Sequence, residues 1–127
     1  MAKRTQTLDG EPYISLATFR RSGVAVETPV WFATLDGRHY VVTDGTSAKV
    51  KRLRATKKIR VAVCDVRGKL RGDWRDGVGR VVTDAALVER AHAALVAKYG
   101  WQMWLLDAGS RLFGRYARRA YLELQLD

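Results

Sequence analysis

At 127 residues and 47% hydrophobic composition, the chain has the material for one core, and residues 1–127 are expected to form a single domain. Its formal charge of +10 and pI near 10.3 point to an anionic partner: nucleic acid, an acidic membrane surface or a polyanionic small molecule. A single cysteine, Cys64, excludes an internal disulfide. With no apolar leader at the N-terminus and no run near the roughly 18 apolar residues of a membrane span, the expected location is the cytoplasm.

Residues 1–11 are polar and expected to fray. Tyr13–Phe19 reads as a strand, with Arg20–Gly23 as its turn. Val24–Leu35 alternates through Val24, Val26, Thr28, Val30 and Phe32, the period of a half-buried strand. Pro29 within it removes a ladder donor and marks an edge or a bulge. Backbone left exposed there could face a flat heterocycle, or the segment could simply be a core strand at the sheet edge. Asp36-Gly37 is a hairpin signal, because both positions tolerate positive φ, and Arg38–Thr43 returns from it. A helix from about Ser47 to Thr56 leads into a strand over Ile59–Asp65. Four glycines around Trp74 make Arg67–Gly79 read as a loop, followed by a short strand over Gly79–Thr83. Asp84–Tyr99 has an acidic start, a stripe of Leu87, Ala91, Leu95 and Tyr99, and Gly100 as its stop, which together specify a helix. Trp101–Phe113 is amphipathic, and Ala120–Leu126 is a closing strand. Strands dominate, with early hairpins and inserted helices, so the expected fold is mainly β: an antiparallel barrel with helices at its ends.

The charge is concentrated. Between Lys49 and Arg60 lie seven basic residues and no acid. Thr46 or Ser47 is placed to cap the helix, which puts Lys49 in its first turn, where free N–H groups, hydroxyls and an ammonium suit a phosphate. The same spacing equally describes a solvated basic helix resting on Val50 and Leu53. Other chemistry lacks its residues. His39 and His92 with one cysteine cannot make a structural zinc site, so no metal is expected. There is no GxSxG elbow, no HExxH and no GxGxxG after a strand; Asp44-Gly45-Thr46-Ser47-Ala48-Lys49 lacks the Gly-Lys-Ser/Thr order of a phosphate loop.

Taken together, Tyr13–Thr18, Val26–Phe32, Thr43–Cys64 and Asp65-Val66-Arg67-Gly68 resemble the pyridoxamine 5'-phosphate-oxidase-like split β-barrel proteins, whose fold is FMN-binding-like. Within them the chain is most similar to the small deazaflavin-dependent reductases that use coenzyme F420. The resemblance covers roughly residues 12–100. It implies a homodimer with two cofactor sites at the subunit interface. Thr28, Pro29, Val30 and Trp31 would lie along the ring system, and Thr43, Ser47 and Lys49 would meet phosphate, with Arg52 and Arg54 as looser matches. True pyridoxamine-phosphate oxidases carry Arg-Lys where this chain has Ala48-Lys49, and their C-terminal Arg-x-His is missing between Arg111 and Asp127, so oxidation of vitamin B6 is not expected. The implied cofactor is coenzyme F420, whose tail carries glutamate carboxylates that suit the Lys and Arg excess; FMN is the alternative.

Three functions follow. The first is an oxidoreductase passing a hydride to an electron-poor C=C or C=N bond of a small organic substrate, with the catalytic residues unassigned and Tyr13, Asp73 and solvent open as proton source. The second is a non-catalytic flavin or deazaflavin carrier. The third, a nucleic-acid-binding barrel, is disfavoured because no RNP-like aromatic pair lies on a strand beside the basic stretch.

Overall fold

A computed structural model describes Leu8, residues 10–112, Gly114 and residues 118–127. Its elements are β1 (Ile14–Phe19), β2 (Ala25–Val30), β3 (Ala33–Leu35), β4 (Arg38–Asp44), α1 (Ala48–Ala55), β5 (Lys58–Val63), β6 (Arg75–Val81), α2 (Ala85–Tyr99), α3 (Trp101–Leu112) and β7 (Arg119–Leu126). The strands form one curled antiparallel sheet in the order β2-β1-β5-β6-β7-β4-β3, the mainly β, helix-capped barrel expected from the alternation.

Strand alternation sorts side chains into two cores. The inner one gathers Ile14 and Leu16 of β1, Val41 of β4, Ile59 and Val61 of β5, and Leu122 and Leu124 of β7. Val50 and Leu53 of α1 are buried among them. The outer core lies between β3, β4 and β7 and the two long helices, where Tyr40 and Tyr121 meet Ala91, Leu95 and Tyr99 of α2 and Met103 of α3. Asp84 caps α2 by accepting the Ala86 N–H at 3.0 Å, and Gly100 ends it at φ +57°. Asp36 and Gly37 take φ +53° and +78°, the backbone of a two-residue hairpin turn between β3 and β4.

Three expectations are corrected. The continuous strand over Val24–Leu35 breaks at Trp31-Phe32, because the Tyr99 hydroxyl takes over the Phe32 backbone. It accepts the Phe32 N–H at 3.0 Å and lies 3.1 Å from the Phe32 carbonyl and 2.8 Å from that of Pro12. The glycine-rich stretch is a loop only to Trp74, and β6 begins at Arg75. Gly77 and Gly79 sit inside β6, where a Cβ would come within 2.5 Å of the Gln125 carbonyl oxygen and 3.2 Å of Ile59 and Leu53, respectively. Those glycines serve close packing. Fraying does not hold at Leu8, which is buried in the inner core, while residues 1–7 and 9 lie outside the described residues, as does Phe113. Pro29 does mark an edge, since β2 pairs with β1 alone.

One polar cluster crosses three strands. Glu123 of β7 stands opposite Tyr40 on one side and Arg80 on the other. It is buried, and accepts from the Tyr40 hydroxyl at 2.7 Å and from Arg80 Nε and Nη2 at 2.8 and 3.2 Å. Burial pushes the Glu123 carboxyl up, but the hydrogen bonds from Arg80 and Tyr40 outweigh it and hold the group below the ordinary glutamate range. Burial and the Glu123 hydrogen bond push Tyr40 up to about 12. A depressed folded-state pKa contributes stability in full above the unfolded value of about 4.3 and loses it as pH falls through the folded value. Glu123→Gln is therefore expected to be less stable than the parent at pH 7, with the gap closing on acidification below about pH 4. Chemical unfolding at a series of pH values reads this gap; one that stayed constant down to pH 3 would contradict the assignment.

Candidate functional site

The turn into α1 is built by Asp44, whose side chain accepts the Thr46 N–H at 2.8 Å and hydroxyl at 2.7 Å, while its carbonyl accepts the Ser47 N–H at 3.0 Å. Ser47 is the N-cap and accepts the Val50 N–H at 3.4 Å, so Lys49 lies in the first turn. Burial of Val50 and Leu53 fixes the roll of the helix about its axis. That roll leaves Lys49 and Arg52, three residues apart on one flank, half-buried. Burial and then the neighbouring Arg52 guanidinium lower the Lys49 pKa. Burial and then Arg20 lower that of Arg52, whose Nε donates to the Thr18 hydroxyl at 2.6 Å. Arg52 therefore feels a second cation, Arg20, and Lys49 feels Arg52, while both Lys49 and Arg52 are partly desolvated, an arrangement that an anion would relieve.

Thr18 stands opposite Val26, and Leu16 opposite Thr28. Residues directly opposite in a ladder share a face, so Val26, Thr28 and Val30 continue the inner face of β1 out to the edge strand. Val30 packs on the inner core. The Thr28 hydroxyl is buried and has no hydrogen-bond partner among the described residues. Buried hydroxyls are nearly always bonded, and this orphan acceptor-donor, on the strand paired with the one that carries Thr18, fits a polar ligand.

Of the residues that the resemblance assigns to the cofactor, Ser47, Lys49 and Arg52 lie on α1 or at its cap, and Thr28 and Val30 lie on the edge strand β2. The others lie elsewhere. Pro29 is exposed on the opposite face of β2, its ring 3.7 Å from where a Cβ on Gly68 would stand. Trp31 leaves the strand and stacks on Tyr99 in the outer core, with ring centroids 4.5 Å apart and planes at 10°. Thr43 lines a 350 Å³ cleft with Leu105, Leu106 and Arg119. Arg54 lines a separate cleft of 440 Å³ with Glu89, His92 and Tyr121. Thr18 and Arg20 join the cationic flank without having been singled out from sequence; a threonine in a fully buried strand is the signal that could have found the first. Both histidines are tied into the fold. His39 Nδ1 lies 2.8 Å from the Thr34 hydroxyl. His92 lies 2.8 Å from Asp107, whose other oxygen accepts from Arg119 at 2.6 Å. Among the described residues no group of three or more His, Cys, Asp or Glu could hold a metal ion, and no helix is long and apolar enough to cross a membrane.

The family profile of pyridoxamine 5'-phosphate oxidase matches residues 2–121. The chain belongs to the pyridoxamine 5'-phosphate oxidase family. No curated protein matches its sequence. Among solved structures, it is similar to HutZ, the heme storage protein of Vibrio cholerae, with a TM-score of 0.70 at 14% identity over 93% of this chain and 83% of that one. It is also similar to the conserved hypothetical protein Rv2991 of Mycobacterium tuberculosis, with a TM-score of 0.67 at 21% identity over 90% and 72% of the two chains. An FAD-binding protein of Mesorhizobium loti matches with a TM-score of 0.61 at 14% identity over 94% and 82%. At these identities the likeness is one of fold, and within a family fold the site must be argued from its own residues.

In this family member the orphan hydroxyl separates a binding role from a structural one. Thr28→Val keeps the side-chain shape and removes a buried polar atom that bonds to nothing described. The variant is expected to match or exceed the parent in unfolding free energy, by up to about 1 kcal/mol. Urea unfolding measures it; a loss of more than about 1 kcal/mol would mean that the hydroxyl holds the fold together.

Proposed function

We propose that the protein binds coenzyme F420 at the flank formed by Lys49, Arg52 and Thr28 and is an oxidoreductase acting on an electron-poor C=C or C=N bond of a small organic substrate. The observation that carries this reading is a half-buried pair of cations, one in the first turn of a capped helix, together with a buried hydroxyl on β2 that has no hydrogen-bond partner among the described residues. Bound there, the reduced deazaflavin would supply the hydride. Lys49 and the α1 N-terminus would hold the phosphate, with Ser47 fixing the helix start. Arg52, braced by Thr18, would keep a second positive charge at the same place, and Thr28 would bond a polar edge of the ring system. Ala48, in place of the arginine of true oxidases, removes one phosphate partner and favours the deazaflavin over FMN. The whole chain would serve as one cofactor-binding domain in the cytoplasm.

We infer that the working form is a homodimer. Trp101 and Trp104 on α3 are 70% and 67% exposed, and Leu105 beside them is half exposed, an apolar surface suited to burial against a second copy. Two copies would also let Trp31, Thr43 and Arg54, which lie on other faces, serve shared sites. Light scattering at micromolar concentration tests this, with twice the 14.3 kDa chain mass expected and a clean monomer against it.

A carrier role without turnover is supported by a separate observation. Glu123 and Asp107, the two carboxylates held below their usual range, are tied to Arg80 and Arg119 and stay ionised at neutral pH, so neither is a proton donor. Turnover of activated alkenes with reduced cofactor separates the two roles.

The site itself is tested by comparing two lysines of equal charge. Lys58 is exposed, its ammonium 4.7 Å above the Phe19 ring, whereas Lys49 is half-buried in the first turn of α1. A charge-assisted contact is worth about 1.5–3 kcal/mol, so Lys49→Ala should weaken F420 binding roughly ten- to a hundredfold in a fluorescence titration. Lys58→Ala should weaken it less than about threefold, through screened attraction alone. Similar losses in the two variants would instead fit a diffuse basic face of the kind that binds nucleic acid.

A further inference from the structure

The third helix has apolar residues enough for a core element, yet it spends almost none of them on its own barrel. Of its twelve residues Met103 alone is buried, while Trp101, Trp104, Leu105, Leu106 and Leu112 are exposed. The shorter α1 buries Val50 and Leu53, and α2 buries Ala91, Leu95 and Tyr99. Burial of an apolar face is what holds a helix of this length in water, so α3 is the least anchored of the three. Between it and β4 a cleft of 350 Å³ remains, with Leu105, Leu106 and Gly109 on the helix side and Val42 on the strand side.

The rest of the hold on α3 is polar. Asp107, one turn beyond Met103, accepts from Arg119 Nη1 of β7 at 2.6 Å, and its other oxygen lies 2.8 Å from His92 Nε2 of α2. Arg119 Nη2 also donates to the Ser110 hydroxyl of α3 at 2.9 Å. The Arg119 side chain is only 8% exposed, so without Asp107 a buried guanidinium would lose its counter-ion. Burial pushes the Asp107 carboxyl up, but the hydrogen bonds from Arg119 and His92 outweigh it and hold the group below the ordinary aspartate range. One side chain thus ties α3 to α2 and to the barrel at once.

The joint with α2 is a single residue. Gly100 takes φ +57° and ψ −124°, and a Cβ there would meet nothing within 4 Å. That glycine serves the backbone turn and not close packing. A helix held by one buried side chain and one ion-pair cluster, on a glycine joint, is a unit that opens before the barrel does.

We infer that α3 is a lid, which detaches from the barrel as one unit about Gly100, with Asp107 as its latch, and uncovers the cleft between itself and β4.

A detached helix of twelve residues melts in water, so opening is read by amide hydrogen exchange of the full chain over a series of sub-denaturing urea concentrations. The α3 amides should exchange about a hundredfold or more faster than the slowest amides of β1, β5 and β7, with one shared urea dependence weaker than that of the strands. Asp107→Ala should speed α3 about tenfold or more. Arg90→Ala, which breaks the exposed pair between α2 and Asp36, should leave the α3 rate unchanged. Chain concentration is varied because a second copy on Trp101 and Trp104 would slow α3 as it rises; the gap between parent and Asp107→Ala should persist throughout. One rate and one urea dependence for α3 and the strands would overturn the inference, and so would α3 exchange without any urea dependence, which is fraying. An α3 rate indifferent to Asp107→Ala would overturn the latch. If that variant does not fold, the parent decides the lid, and Asp107→Asn, which keeps one acceptor for Arg119, decides the latch by the same increase in α3 rate.

Discussion

Burial of Val50 and Leu53 is the constraint on which the candidate site depends. An eight-residue helix with four charged positions does not hold together alone in water, so α1 exists because two apolar side chains reach the inner core. Each fully buried side chain of this size contributes about 1.5–3 kcal/mol. Once they are seated, the roll of the helix is fixed and every other side chain on it is assigned to solvent or to the barrel edge. Lys49 and Arg52 fall at the edge; Lys51 and Arg54 fall outside. A packing decision thus sets the electrostatics.

That sorting changes the meaning of the basic run. Seven cations in twelve residues look like a patch, but the fold disperses most of them. Arg60 pairs with Asp76 at 2.9 Å, Lys58 rests over Phe19, and Lys57 is exposed. Exposed charges of this kind are screened within about a Debye length and contribute little to one bound ion. Lys49 and Arg52 differ because burial has already stripped part of their water, and an anion regains for them what burial removed. The buried Thr28 hydroxyl, which has no hydrogen-bond partner among the described residues, is left with a similar imbalance.

Features fixed by local chemistry were legible in the sequence. The strand readings at Tyr13–Phe19, Arg38–Thr43 and Ala120–Leu126 correspond to β1, β4 and β7, Asp36-Gly37 marked the β3–β4 hairpin, and Asp84 and Gly100 bracketed α2. What was not legible depends on partners distant in the chain. Trp31-Phe32 keeps the strand pattern, yet Tyr99, 67 residues on, draws the Phe32 backbone out of the ladder. Gly77 and Gly79 read as loop residues because nothing local reveals that Gln125, Leu53 and Ile59 close in on them. The candidate site divides in the same way. Capping by Ser47 and the position of Lys49 follow from spacing, whereas the bracing of Arg52 by Thr18 arises only when β1 and α1 meet, and the burial of the Thr28 hydroxyl without a partner among the described residues only when the barrel closes.

The central claim is that the Lys49 flank holds a deazaflavin. Its most direct test is the optical spectrum and mass of the small molecule that copurifies with the chain from a host making coenzyme F420, measured for the parent and for Lys49→Ala. The account predicts a deazaflavin at close to one per chain on the parent and little on the variant. FMN or heme in its place, or a deazaflavin retained equally by both proteins, would contradict it.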